Sequence, residues 1–246
     1  MHRYFLNIAY CGTQYCGWQR QPNGVAVQEI VEKSLFTILR TETPITGAGR
    51  TDAGVHARGM TAHFDVAEVL PDTHRLMVNL NSILPQAIAI NAIREVHPDA
   101  HARFDAISRR YEYHIVYRKD PFTTDRAYRI NRPLDVDVMN KAAQTLFEYD
   151  DFTSFSKVHT DVKTNLCTII YARWDEVDSN HLVFTIEANR FLRNMVRAIV
   201  GTLIDVGTHK ITIDDFRCII ERKDRCSAGH SVPACGLYFI EAKYNY

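Results

Sequence analysis

The sequence predicts an α+β protein made of two tandem ferredoxin-like halves, residues 1–105 and 106–246. Each half is a split βαβ unit, with antiparallel sheets joined edge to edge and an active-site cleft between the halves. Three observations carry this prediction. Segments of period two and period 3.6 follow one another in the order β-α-β-β-α-β, the second half repeats that order, and no low-complexity tract or long linker interrupts the chain.

The first strand runs from Arg3 to Tyr10, with Tyr4, Leu6, Ile8 and Tyr10 on one face. After a Gly/Gln-rich loop, Val27, Ile30, Val31, Ser34, Leu35, Ile38 and Leu39 recur at the spacing of a one-sided helix. A short strand begins at Ile45, and Met60, Ala62, Phe64 and Val66 alternate as the next one. A helix over His74 to Ile83 and a strand from Ile88 to Val96 close the first half. In the second half we expect a strand over Ala106 to Tyr117 and a helix over Val136 to Tyr149. Strands over Cys167 to Val177 and His181 to Ala188 come next, followed by a long helix from Asn189 to Val206. Thr212 followed by Asp215 outlines a capping box that starts an extra helix, and Gly236 to Tyr244 forms the final strand.

At 246 residues, 46% hydrophobic and 24% charged, the chain is long enough for one large or two small cores and too apolar for disorder. No apolar run approaches the roughly 20 residues that span a bilayer, and Met1 to Phe5 leads directly into strand-like sequence without a signal peptide. A cytoplasmic protein with no membrane partner is the expectation. Cys11, Cys16, Cys167, Cys218, Cys226 and Cys235 are scattered, with no CxxC pair and no histidine at finger spacing, so they read as reduced thiols and not as a metal site. Basic and acidic residues balance at 29 each, so any nucleic-acid site must be local. Arginine outnumbers lysine, 21 to 8, and its planar fork suits phosphates, base edges and stacking.

The densest chemical signal is Gly47-Ala48-Gly49-Arg50-Thr51-Asp52-Ala53-Gly54-Val55-His56-Ala57, where one carboxylate lies between glycine-bent turns. Glycines at 47, 49 and 54 let the chain take angles closed to other residues and push Asp52 into a cleft. On the residues alone, an ordinary turn whose aspartate bonds its own backbone competes with a reactive loop.

This loop resembles the signature of the tRNA pseudouridine synthase I (TruA) family, and the resemblance covers nearly the whole chain. Gly17-Trp18-Gln19-Arg20-Gln21, His101-Ala102-Arg103-Phe104, Ser108-Arg109-Arg110-Tyr111-Glu112-Tyr113, Asp151-Phe152-Thr153-Ser154-Phe155, Phe191 to Gly201 and Gly236-Leu237-Tyr238-Phe239 look like family elements in family order. The chain departs from the family pattern at Cys11, where many members have aspartate, and at Phe239, where leucine is usual. The resemblance implies an enzyme that turns uridine into pseudouridine at tRNA positions 38, 39 and 40 in the anticodon arm. It also implies a homodimer that needs no cofactor or metal.

That reaction breaks the bond from ribose C1′ to uracil N1, turns the base and joins C1′ to C5, with loss of the C5 proton. A carboxylate is a competent nucleophile for it, and the resemblance implies that Asp52 takes the role; attack on C1′ and attack on uracil C6 both remain open. Burial raises a carboxyl pKa by up to roughly 3 to 5 units, so a cation must hold it ionised; at an effective dielectric of about 20, a charge ~4 Å away supplies on the order of 4 kcal/mol. Arg50 and Arg197 are the candidates. Helical spacing would put Arg190, Arg193 and Arg197 on one face, opposite a core stripe of Leu192, Met195, Val196, Ile199 and Leu203. The family's F-x-x-x-M-V-R-x-I-V-G element implies Arg197 as the partner of the aspartate.

The R-R-Y-x-Y element implies Tyr111 in the active site, able to stack on uracil and to relay the C5 proton. Arg109 and Arg110 point to opposite strand faces, so at most one shares that pocket. The resemblance also implies that Arg50 meets RNA near the flipped base, and Leu237 is read as a substrate-binding residue. Arg58 and His56 follow the loop and either is placed to touch phosphate, with His56 equally open to a structural hydrogen bond. Two competing classes are weaker. A non-catalytic RNA-binding module of ferredoxin-like fold would carry an RNP1-like run, which is absent, and a nucleoside hydrolase would carry an Asp-rich metal cluster or a second positioned carboxylate.

Overall fold

The computed structural model describes residues 1–157 and 164–246, a mixed α/β protein with five α-helices among them. Its backbone divides into two compact units, residues 1–107 with 238–246, and residues 108–237. No helix among the described residues is long and apolar enough to cross a membrane.

In the first unit, β1 (His2–Tyr10) lies between β3 (His56–Val66) and β4 (Ile88–Val96), antiparallel to both. The two-residue β2 (Thr46–Gly47) pairs with β3, and β9 (Leu237–Lys243) runs parallel to β3 through Tyr238 and Phe239. The expected core face of β1 is buried: Tyr4 stacks on Phe64 at 5.6 Å, and Leu6, Ile8 and Tyr10 are at most 4% exposed. Helix α1 (Val27–Leu39) buries Val27, Val31, Ser34 and Leu35, one stripe at i, i+4, i+7 and i+8. Helix α2 (Thr73–Ile83) starts at Asp72, whose carboxylate accepts the Arg75 N–H, and buries Leu76 and Leu80.

The opposite face of β1 is not solvated as simple alternation would have it. Phe5 is 2% exposed, packed with Ala100, Ala102, Val96 and Tyr244 in a second small core. The same cover buries His63, whose Nδ1 accepts the Ala102 N–H at 3.2 Å and whose ring meets His101 edge-on at 4.6 Å. Burial, with the nearby His101 and Arg3, lowers the His63 pKa to about 4. An unfolded chain takes up this proton near pH 6.5 while the folded one refuses it until about pH 4, so protonation opposes folding. Stability is therefore full above pH 6.5 and declines as pH falls toward 4, by an amount on the order of 3 kcal/mol from this residue. His63→Asn, which keeps an acceptor near the Ala102 amide, flattens much of that decline. Urea midpoints at pH 7.5 and pH 5 measure it, and an unchanged difference between the two pH values would refute the assignment.

In the second unit, β8 (His181–Ala188) lies between β5 (Ser108–Val116) and β7 (Ile169–Asp178), antiparallel to both, and β6 (Tyr128–Arg129) runs parallel to β5. Helix α3 (Val136–Gln144) ends in a tighter turn over Thr145–Glu148, and α5 (Ile213–Glu221) opens with the expected capping box: the Thr212 hydroxyl accepts the Asp215 N–H and the Asp215 carboxylate accepts the Thr212 N–H.

Helix α4 (Met195–Gly207) is buried along nearly its whole length. It begins six residues later than its apolar pattern suggests. Asn194 takes a left-handed φ of 68°, a conformation asparagine tolerates, and the Arg193 carbonyl is held by the Lys157 N–H. Arg190 and Arg193 therefore precede the helix, and the one-face arrangement with Arg197 does not form.

Candidate active site

Asp52 belongs to the first unit, in the segment that connects β2 to β3, and is half-buried. Backbone contacts pin this segment at several points. The Trp18 N–H donates to the Thr51 carbonyl, the Val55 N–H to the Asp52 carbonyl, and the Gly54 N–H to the Tyr15 carbonyl. The Thr51 hydroxyl pairs with the Tyr10 hydroxyl at 2.8 Å. The aspartate side chain is thus presented by a backbone that Tyr10, Tyr15 and Trp18 hold from below.

Glycine does the expected work at two of the three loop positions. Gly54 has a φ of 79°, and a Cβ on Gly47 would stand 2.5 Å from Trp18 Nε1. Gly49 differs: its φ is not positive and a Cβ there meets nothing within 4 Å. The more demanding glycines come from the preceding Gly/Gln-rich loop. Gly17 has a φ of 91° and a Cβ on it would lie 2.2 Å from the Thr51 carbonyl oxygen; one on Gly12 would lie 1.9 Å from that of Val55. Gly17→Ala should cost at least ~2 kcal/mol in chemical denaturation and lower activity with it, whereas Gly49→Ala should stay within about 0.5 kcal/mol. Equal costs would show that the close approach to Thr51 is not what holds the loop.

His56 is a structural hydrogen-bonder. It is buried, its Nδ1 accepts the Gly12 N–H at 3.1 Å, and its ring stacks on Tyr238 at 4.6 Å. Arg58 is exposed and lies over the same tyrosine ring, 5.6 Å from its centre, so one aromatic positions both residues. Arg50 is exposed. The first-unit residues named from the sequence thus share one loop and the start of β3. Of the departures from the family pattern, Cys11 donates its backbone N–H to Ala87, and Phe239 is a fully buried core residue.

In the second unit, Tyr111 sits on β5 opposite Ile186, buried, with its ring edge-on to Phe191 at 5.0 Å. The neighbouring arginines diverge as strand alternation requires. Arg110 donates from Nε and Nη2 to the buried Glu187 carboxylate at 3.0 and 2.7 Å, while Arg109 Nη1 donates to the Asn189 carbonyl at 2.9 Å. Glu187 also accepts from the Ser108 hydroxyl at 2.6 Å, so its charge is well satisfied.

Arg197 is half-buried in the first turn of α4. Its Nε donates to the Val232 carbonyl at 2.7 Å, and the Val232 N–H returns a bond to its backbone carbonyl. This reciprocal pair fixes the guanidinium against the 232–236 segment. Tyr113 braces the same segment: its hydroxyl donates to the Pro233 carbonyl at 2.8 Å, and burial drives its pKa far above the ordinary tyrosine value. Gly236 packs under that ring, where a Cβ would be 2.6 Å from Cζ, and Leu237 follows, buried. Sequence reasoning had no pattern to flag Tyr113 or Val232 as supports, because both contacts end on backbone carbonyls. No cluster of three or more histidine, cysteine or acidic residues able to hold a metal occurs among the described residues.

These motifs lie in a chain whose residues 7–105 and 142–245 match the sequence family described as tRNA pseudouridine synthase. The chain belongs to that family. Among its relatives, "tRNA pseudouridine synthase A" of Bacteroides fragilis is 54% identical over 244 residues, covering 99% of this chain and 97% of the relative. The protein of the same name from Bacteroides thetaiotaomicron is 54% identical, covering 99% and 91%, and that from Parabacteroides distasonis 53%, covering 99% and 96%. Family membership makes the chain an enzyme that isomerises uridine to pseudouridine in tRNA.

Proposed function

We propose that the enzyme acts on uridines 38, 39 and 40 in the anticodon arm of tRNA, with Asp52 as its nucleophile. Arg197 pairs its positive charge with the Asp52 carboxylate, and Tyr111 stacks on the displaced uracil and relays the C5 proton. Arg50, Arg58 and Leu237 contact the substrate. The two units act as ferredoxin-like repeats, the first carrying the catalytic loop and the second the pocket tyrosine and arginine. The enzyme works in the cytoplasm as a homodimer, with tRNA bound across both copies and with no added cofactor or metal.

The observation that carries this reading is the Gly47–Ala57 loop, a family signature with a single carboxylate, in a chain that belongs to the family. Stem uridines are hidden by pairing, so the substrate base must be flipped out, at a cost of a few kcal/mol that stacking and phosphate contacts offset. Arg58, seated on Tyr238 with its guanidinium exposed, suits a phosphate contact of that kind. The test is release of tritium from C5-labelled uridine in unmodified tRNA, followed by mapping of the modified positions. Release confined to positions 38–40 supports the proposal. No release, with tRNA still bound, would favour a non-catalytic RNA-binding module.

A further inference from the structure

The second unit contains a cavity of about 290 Å³ that none of the roles above uses, lined by Arg129, Asn131, Arg132, Asp205, His230 and Val232 among others. The wall formed by α4 and the loop that carries His230 is held by close contacts. A Cβ on Gly201 would stand 2.0 Å from the His230 carbonyl oxygen, so the glycine seats that loop directly on α4. The Gly229 N–H donates to the Thr202 hydroxyl at 3.0 Å, and Arg225 Nη1 donates to the Gly229 carbonyl at 3.1 Å.

The charge in this cavity is unbalanced. Its one carboxylate, Asp205, is bridged to Lys210 at 3.2 Å. Arg129 and Arg132 are exposed at the rim, and neither has an ion pair or side-chain hydrogen bond among the described residues. In a chain of zero formal charge, two unpaired guanidinium groups at the mouth of a fixed cavity are a local anion site. The planar fork of arginine matches the oxygens of a phosphate, and Asn131 adds neutral donors.

We propose that this cavity takes a phosphate group of the RNA backbone, giving the enzyme a second grip on its tRNA. The inference rests on the tRNA reading above and deepens it. Val232 lines the cavity while its carbonyl accepts from Arg197 Nε, so one residue touches both the cavity and the proposed catalytic arginine.

The test is a salt titration of unmodified tRNA binding by wild type, by Arg129→Gln/Arg132→Gln, and by Arg129→Lys/Arg132→Lys. The glutamine variant should bind about tenfold more weakly at low salt, with the slope of log affinity against log salt smaller by about one to two. The lysine variant should recover the slope but only part of the affinity, since point charges release counterions without the fork geometry. An unchanged slope in the glutamine variant overturns the proposal. If, in addition, 10 mM inorganic phosphate raises the Tm of wild type and not of the glutamine variant, the site belongs to a free anion. Tritium release by wild type separates the two levels: release with an unchanged slope sinks this site alone, while absence of release sinks the catalytic reading and leaves the binding comparison to be judged by itself.

Discussion

Asp52→Asn should reduce tritium release by at least ~10⁴-fold while leaving tRNA affinity within about threefold of wild type. The substitution is isosteric and removes only the negative charge that the proposed nucleophile needs. Three of the bonds that hold the loop run through backbone atoms, from Trp18 to the Thr51 carbonyl, from Val55 to the Asp52 carbonyl and from Gly54 to Tyr15, and a fourth joins the Thr51 and Tyr10 hydroxyls; these four survive the exchange. Folding should therefore be unaffected, with Tm moving by no more than one or two degrees, because a half-buried side chain exchanged for its own shape leaves no cavity. Asp52→Ala serves as the second variant, since an asparagine that slowly deamidates would restore a trace of activity and alanine would not. Binding lost in step with turnover, in both variants, would mean that Asp52 shapes the RNA site and does not perform the chemistry.

Much of the scaffold around this residue was legible because the periods are unbroken. The buried stripe Val27, Val31, Ser34 and Leu35 and the Tyr4 to Tyr10 face of β1 are patterns that burial alone imposes. The start of α4 was not legible, because apolar spacing runs smoothly from Leu192 through Met195 while the backbone turns left-handed at Asn194. Periodicity records which side chains are buried and is silent on φ. The burial of Phe5, on the other face of β1, depends on a distant segment, Ala100 and Ala102, that no local pattern announces. In the candidate site, the residues proposed for the chemistry stand out by type and spacing, whereas their supports do not. Gly12 and Gly17 act by letting the carbonyls of Val55 and Thr51 approach, and such a contact leaves no periodic trace in the sequence.

In the proposed assignment, where the charge of Arg197 supports the Asp52 carboxylate, Arg197→Met should lower kcat/KM by roughly 10²–10³-fold, the size typical of losing one preorganised electrostatic group. Its diagnostic feature is whether a restored charge restores the rate. In the proposed assignment the positive charge at position 197 supports the catalytic carboxylate, so lysine there should recover part of kcat/KM while a neutral side chain should not. A purely structural loss would track thermal stability and not the charge at position 197. The distinction matters because Arg197 also has a structural bond: its Nε–H to the Val232 carbonyl at 2.7 Å disappears in the methionine variant, and the 232–236 segment loses one of its anchors. The other anchors remain, since the Val232 N–H still reaches the backbone carbonyl at position 197 and Tyr113 still holds Pro233. Arg197→Lys separates the two contributions: it keeps the charge and gives up the fork, so its kcat/KM should lie between those of wild type and Arg197→Met. If lysine and methionine lower kcat/KM equally, the charge of Arg197 is not what supports the proposed nucleophile, and the cation must be sought elsewhere, with Arg50, two residues before Asp52, the next to test.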